Sequence, residues 1–157
     1  MFNPANETHF SLAIDGIEHD LQVLEFRGRE ALSQPFAFEL ELVSERPDLD
    51  LENLLHQPAF LALSPAGNGI HGLIHRVAQG DSGKRLTRYH ITLRPQMAYL
   101  AHRTNQRIFQ HLTVEKIISQ VLEEHGIQTN AFRFGLGSVY PDRKSTRLNS
   151  SHMSESR

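Results

Sequence analysis

Phe36, Phe38, Leu40 and Leu42 alternate with Ala37, Glu39 and Glu41, and no other stretch of the chain limits its fold so tightly. Side chains on a strand point in turn to the two faces of a sheet. Four large apolar groups at period two therefore commit one face to a core and leave both glutamates in solvent. A helix would scatter the same four residues around its circumference. The chain must build a sheet with one dry face, and other strands must lie beside this one.

Candidates for those strands stand on both sides. Phe10, Leu12 and Ile14 keep the same period, and Asp15-Gly16 supplies a hairpin turn whose glycine tolerates positive φ. The returning segment continues it at Leu21 and Val23, then shifts phase at Leu24 and Phe26. One extra residue in a β-bulge restores the buried face. Phe26 to Phe36 reads as an irregular loop, with Arg27 and Arg29 around Gly28 ordering it before Pro35. Asp48 or Asp50 caps a short acidic helix through Leu55, which Pro58 stops. Gly67-Asn68-Gly69 and Asp81-Ser82-Gly83 mark turns, and Ile70 to Val77 and Leu86 to Leu93 read as paired strands.

From Pro95 the period changes. Met97, Leu100 and Ala101 suggest a helical turn, and Ile108-Phe109 a brief extended piece. Thr113 to His125 is a helix with Thr113 as N-cap and Gly126 just past its end. Val114, Ile117, Ile118, Val121 and Leu122 share one face, and Glu123 and Glu124 oppose the dipole at its C-terminus. The tail from Lys144 to Arg157 is rich in serine, with Leu148 and Met153 its only large apolar groups, and cannot bury a core. Fold class is thus mainly β (α+β), a partly open barrel followed by a helix that starts a second module.

Bulk properties remove several functions. Sixteen basic against eighteen acidic residues give a net charge of −2, no footprint for nucleic acid. No apolar run approaches the ~20 residues that span a bilayer. The first residues lack the basic and apolar regions of a secretory signal. With no cysteine, disulfides and thiolate zinc sites are out of reach.

Local patterns that could carry chemistry are weak. Gly80-Asp81-Ser82-Gly83 resembles the nucleophile motif of chymotrypsin-like proteases, but between two strands such a run reads as a turn. Lys84 after Gly83 does not make a phosphate loop, because Ala78 and Arg85 stand where glycine and Ser/Thr are needed. His71 and His75 are four apart on a strand, roughly 13 Å, too far to share one metal, and His90 could approach one of them only. Arg85, Arg88, Arg94, Arg103 and Arg107 read as a solvated face balanced by Glu39, Glu41 and the Asp48 to Asp50 region. Glu123 and Glu124, adjacent on a helix, point apart and are no acid/base pair. No catalytic, cofactor-binding or metal-ligating residue is predicted, and no cofactor.

An ordered set of segments adds a resemblance. Phe26-Arg27-Gly28-Arg29-Glu30-Ala31-Leu32-Ser33-Gln34-Pro35-Phe36, the strand to Leu42, Leu54-Leu55-His56-Gln57-Pro58, Phe60-Leu61-Ala62-Leu63 and Tyr89-His90-Ile91-Thr92-Leu93-Arg94-Pro95 follow one another. Arg103-Thr104-Asn105-Gln106-Arg107-Ile108-Phe109-Gln110, Leu112 to Ile118 and Tyr140-Pro141 continue the series. Together they resemble the N-terminal hub region of VgrG proteins, the tip of the type VI secretion spike, similar to contractile-phage tail hubs. The resemblance covers residues 5 to 141. It implies a first β-barrel-like hub module over residues 1–95, the incomplete start of a second over 96–141, and a non-native or disordered tail over 142–157. It further implies an injected structural part and not an enzyme. The implied partners are two further copies in a homotrimer, a hexameric Hcp-type ring, and effector or adaptor proteins. Assembly in the cytoplasm and export through the secretion apparatus follow from the same resemblance. The alternative from another class is a small β-barrel module that binds a carbohydrate or peptide, with Tyr89 and Tyr99 as the aromatics for it.

Overall fold

The computed structural model describes residues 10–64 and 67–137, and the backbone of 146–149. The chain divides into two compact units, Met1–Pro95 and Gln96–Arg157. The first holds strands β1 (Ser11–Ile14), β2 (Gln22–Ala31), β3 (Gln34–Ser44), β4 (Pro58–Ala62), β5 (Gly69–Ser82) and β6 (Thr87–Arg94), with helix α1 (Leu51–Leu54) between β3 and β4. They form one six-stranded antiparallel sheet in the order β1-β4-β5-β6-β3-β2. β1 and β2 stand at opposite ends of that order yet lie against each other, so the sheet is curled into a half-barrel.

The alternation in β3 sets the core. Phe38, Leu40 and Leu42 are buried and pair in register with Leu93, Ile91 and Tyr89 of β6. Leu12 and Ile14 of β1, Leu61 of β4 and Ile74 of β5 complete the same cluster. Each such side chain contributes about 1.5–3 kcal/mol by leaving water. The bulge expected near Leu24 is present: the β2–β3 register shifts between Val23 and Glu25, and Leu24 is half exposed. Asp50 is the cap of α1, its Oδ1 accepting the Asn53 N–H at 3.2 Å, and Pro58 opens β4.

Three local expectations are corrected. The Asp15-Gly16 turn forms, with Gly16 at φ +68, but β1 does not ladder with the returning strand. Its partner is β4, from Ser11↔Ala62 to Ile14↔Ala59, and only an isolated bridge joins Ile14 to Ile17. The Asp15 N–H continues the β4 contact by donating to the Pro58 carbonyl at 2.9 Å. The link between β1 and β2 is instead tied to the end of β3, where Asp20 accepts from Ser44 Oγ at 2.6 Å and from the Glu45 N–H at 2.9 Å. The residues 26–36 are no loop but most of a long hairpin, with Arg27, Gly28 and Arg29 inside β2 and a two-residue turn at Leu32-Ser33. Glycine disguises it: Gly28 faces Phe38, and a Cβ there would meet the ring at 2.2 Å. Finally, β5 runs through Asp81 and Ser82, and the turn is Gly83 to Leu86, closed by the Gly83 N–H on the Leu86 carbonyl at 2.8 Å. A register shift between Gln79 and Ser82 absorbs the extra residues.

The Asp20 tie gives a pH-dependent expectation. Desolvation works against the carboxylate, but the Ser44 and Glu45 hydrogen bonds outweigh it, and the carboxyl is held below its ordinary 3.8. A folded-state value below the unfolded one stabilises above pH 3.8, and that contribution disappears as pH falls through the folded value. Asp20 is solvent-exposed, so screening limits the effect. Asp20→Ala is expected to cost about 1 kcal/mol in urea unfolding at pH 7 and nearly nothing at pH 2. Equal costs at both pH values would refute the tie.

The second unit begins with a 3-10 segment, Gln96–His102, followed by β7 (Gln106–Phe109), helix α2 (Val114–Glu124) and a 3-10 turn at Thr129–Ala131. Thr113 caps α2, its hydroxyl accepting the Lys116 N–H at 3.4 Å. Gly126, at φ +78, ends it with the Gly126 and Ile127 N–H groups on the Glu123 and Leu122 carbonyls. Ile117 and Leu122 are buried, whereas Val114 and Ile118 remain over a third exposed. β8 (Thr146–Asn149), which falls in the segment set outside the fold above, pairs antiparallel with β7. Tyr140-Pro141 lies outside the described residues.

Candidate functional site

The side chains singled out from sequence do not converge. Ser82 sits at the end of β5, its Oγ accepting from Gln79 Nε2 at 3.2 Å and Thr87 Oγ1 at 3.3 Å, neither of them a base. His71 stacks on Phe60 with ring centroids 4.4 Å apart. His90 lies on β6 between Glu41 and Ala78. Among the described residues no three His, Asp or Glu side chains form a metal-ligand set. Tyr89 is wholly buried, its hydroxyl donating to the Arg46 carbonyl at 2.7 Å, so it offers no aromatic platform for a sugar.

What the fold does display is a charged sheet face opposite the core. Arg27, Glu39, Thr92 and Arg76 stand in one row across β2, β3, β6 and β5, and Glu25, Glu41, His90 and Ala78 in the next. The two rows line a shallow groove of about 470 Å³. Glu25 faces Glu41, a repulsion that arginines offset: Arg27 lies 3.5 Å from Glu25, and Arg88 is bonded to Glu41. Of the five arginines read as a balanced face, Arg88 thus pairs with one of the acids named for it. The outcome is a sheet face of mixed sign, with opposite charges set beside one another.

The second unit carries a different feature, which the sequence did not disclose. Leu100, Phe109 and Val121 line a cleft of about 350 Å³ with Arg103, Arg107 and His125. Arg107 is bonded to Glu124 and holds that carboxyl below the ordinary glutamate value, with Gln120 adding a second bond at 3.0 Å. The unfavourable charge expected at the C-terminus of α2 is answered from β7.

Residues 29–147 match the family described as the phage tail baseplate hub. The chain belongs to that family. This hub chain is 66% identical over 144 residues to the type VI secretion system spike protein VgrG4b of Pseudomonas aeruginosa, and 64% identical over 145 residues to VgrG5 of the same organism. Each alignment takes in 92% of the hub chain but 18% of the relative, so the chain spans under a fifth of their length. Among solved structures it resembles an Escherichia coli component of the type VI secretion system, described as similar to the bacteriophage T4 tail proteins gp27 and gp5. The TM-score is 0.78 at 31% identity, covering 87% of the hub chain and 38% of the other. The hub fold and the kinship with type VI spike proteins expected from the ordered segments are both present. These relatives are named as structural parts of spikes and tails.

Proposed function

We propose that the chain acts as the hub portion of a type VI spike, one of three copies seated on a hexameric Hcp-type ring, from which effectors are delivered after export through the apparatus. The observation that carries this reading is the 66% identity to VgrG4b across nearly the whole chain. The physical character of the first unit agrees with it. A sheet with a continuous apolar core resists shear, and a mixed-charge outer face fixes register against a neighbour. Two related modules per copy let three copies meet six subunits, which is closed-symmetry logic. We take residues 1–95 as the first module, 96–141 as the opening of the second, and 142–157 as no part of the hub.

The second unit gives a corollary. Among the described residues its sheet has two strands, and Met97, Ile108, Ile118 and Leu136 are each at least two-fifths exposed. A two-stranded sheet is marginal by itself. Ile117 is buried, and Phe132 packs edge-on against Phe134. This chain alone is expected to sediment as a monomer at micromolar concentration, and a stable mass of three chains would refute that. The reading itself is tested in a VgrG4b chimera in which residues 10–137 replace the aligned segment. Release of the tube protein into the medium is expected. A chimera that trimerises but releases none would overturn the proposal.

A further inference from the structure

The turn that joins β4 to β5 carries Gly67-Asn68-Gly69, and Asn68 and Gly69 are both exposed. We propose that Asn68 is a site of spontaneous covalent modification: the Gly69 backbone nitrogen closes on the Asn68 carboxamide and expels ammonia, and water reopens the ring to aspartyl and isoaspartyl forms.

Three observations support this. First, the nucleophile is unoccupied by the sheet. Ala62 pairs with Gly69, and the Leu63 N–H donates to the Asn68 carbonyl at 2.8 Å. In an antiparallel ladder a bond so placed flanks a pair that exchanges no bonds of its own, so the Gly69 N–H points away from β4. β6, on the other side of β5, begins to pair only at Leu73. Second, the glycine is required by the fold. A Cβ at this position would lie 2.2 Å from the Leu61 carbonyl oxygen, so close packing of β4 on β5 demands the residue that shields its own nitrogen least. Third, Asn130 shows the opposite arrangement. It too is exposed, but Ala131 follows it, with a methyl beside the nitrogen and the N–H donating to the Gln128 carbonyl at 2.9 Å.

The step balances without a cofactor. Base removes the Gly69 amide proton, the nitrogen bonds to Asn68 Cγ, and the carboxamide nitrogen leaves as ammonia. Water then adds to either carbonyl of the five-membered imide. Opening at Cγ leaves an aspartyl residue. Opening at the backbone carbonyl leaves an isoaspartyl residue, whose main chain runs one carbon longer through the former side chain. The carbonyl that accepted the Leu63 N–H is then a pendant carboxylate, and the end of the β4–β5 ladder loosens.

The full chain is held folded at pH 7 and at pH 8, and peptide mass spectrometry follows the gain of about one dalton at residue 68. Conversion is expected within about threefold of the rate in the free pentapeptide of residues 67–71, and at least about tenfold faster than at Asn130. It should speed up about tenfold from pH 7 to pH 8, because the attacking species is the amide anion. Asn68→Gln, which would have to close a larger ring, is expected to keep its mass and to suppress most ammonia release. Amide exchange at Leu63 should quicken as the isoaspartyl form accumulates, and stay constant in Asn68→Gln. Protection of Asn68 by more than about tenfold relative to the pentapeptide would overturn the proposal, since the fold would then close the site. Equal rates at Asn68 and Asn130, or a rate indifferent to pH, would overturn it as well.

Discussion

Phe38→Ala will destabilise the first unit by about 3–5 kcal/mol, measured by urea unfolding. Phe38 is 5% exposed and stands between the rings of Phe26, at 6.2 Å, and Phe36, at 5.7 Å edge-on. The Phe26 ring in turn meets Phe10 at 5.0 Å, so the ring row runs across to the residue preceding β1. Truncation opens a cavity the size of a benzene ring, and a curled sheet cannot collapse to fill it without breaking its ladder. Domains of this size hold on the order of 5–15 kcal/mol in all, so the change removes a large share. Its companion is Gly28→Ala, where the new methyl must displace the Phe38 ring and is expected to cost about 1–3 kcal/mol. The double variant should lose less than the two costs added together, because alanine at 38 leaves room for the methyl. Additive losses would show that Gly28 and Phe38 do not share the space.

Gly69→Ala is the second large effect, about 3 kcal/mol or more. Gly69 pairs with Ala62, and a Cβ on it would lie 2.2 Å from the Leu61 carbonyl oxygen and 2.5 Å from Phe60 Cζ. At Gly28 the obstacle is a side chain that can turn. At Gly69 it is the backbone of the neighbouring strand, so β4 and β5 must separate where they begin to pair, which exceeds ordinary overpacking. Gly72→Ala provides the scale, since its Cβ would meet the Arg94 carbonyl at a milder 3.0 Å. If Gly69→Ala melts no lower than Gly72→Ala, the close approach of β4 to β5 is wrong.

How much of this was legible depended on which physical signal each element carries. Period-two burial in β3 and β6, the bulge after Val23, the Thr113 cap and the Gly126 stop all follow from side-chain direction and local hydrogen bonding, which sequence displays. The β2–β3 hairpin was hidden because Gly28, Ser33 and Pro35 are turn residues by composition. Here, though, Gly28 makes room for a ring, Ser33 alone takes positive φ at 59, and Pro35 sits near the start of a strand. The partner of β1 was invisible for another reason. Adjacent strands in sequence usually pair, and what diverted β1 was the distant Pro58 carbonyl together with the Asp20 tie. The cleft beside β7 depends on Leu100, Phe109 and Val121 from three separate elements, which no spacing rule joins. The ordered family segments revealed the hub even where the strands within them were misplaced.

The order β1-β4-β5-β6-β3-β2 also dictates a sequence of events in time. β2–β3 and β5–β6 join neighbours along the chain, so both ladders can close as soon as their residues exist. β1 cannot pair until residues 59–62 have been made, and β3 cannot meet β6 until residues 87–93 have been; these two ladders close the long loops of the first unit. On a ribosome the first strand synthesised therefore waits through β2 and β3 before its partner appears. Until it docks, Leu12 and Ile14 stay in water and the flank of β4 stays bare, an interval in which a nascent hub needs either speed or a chaperone.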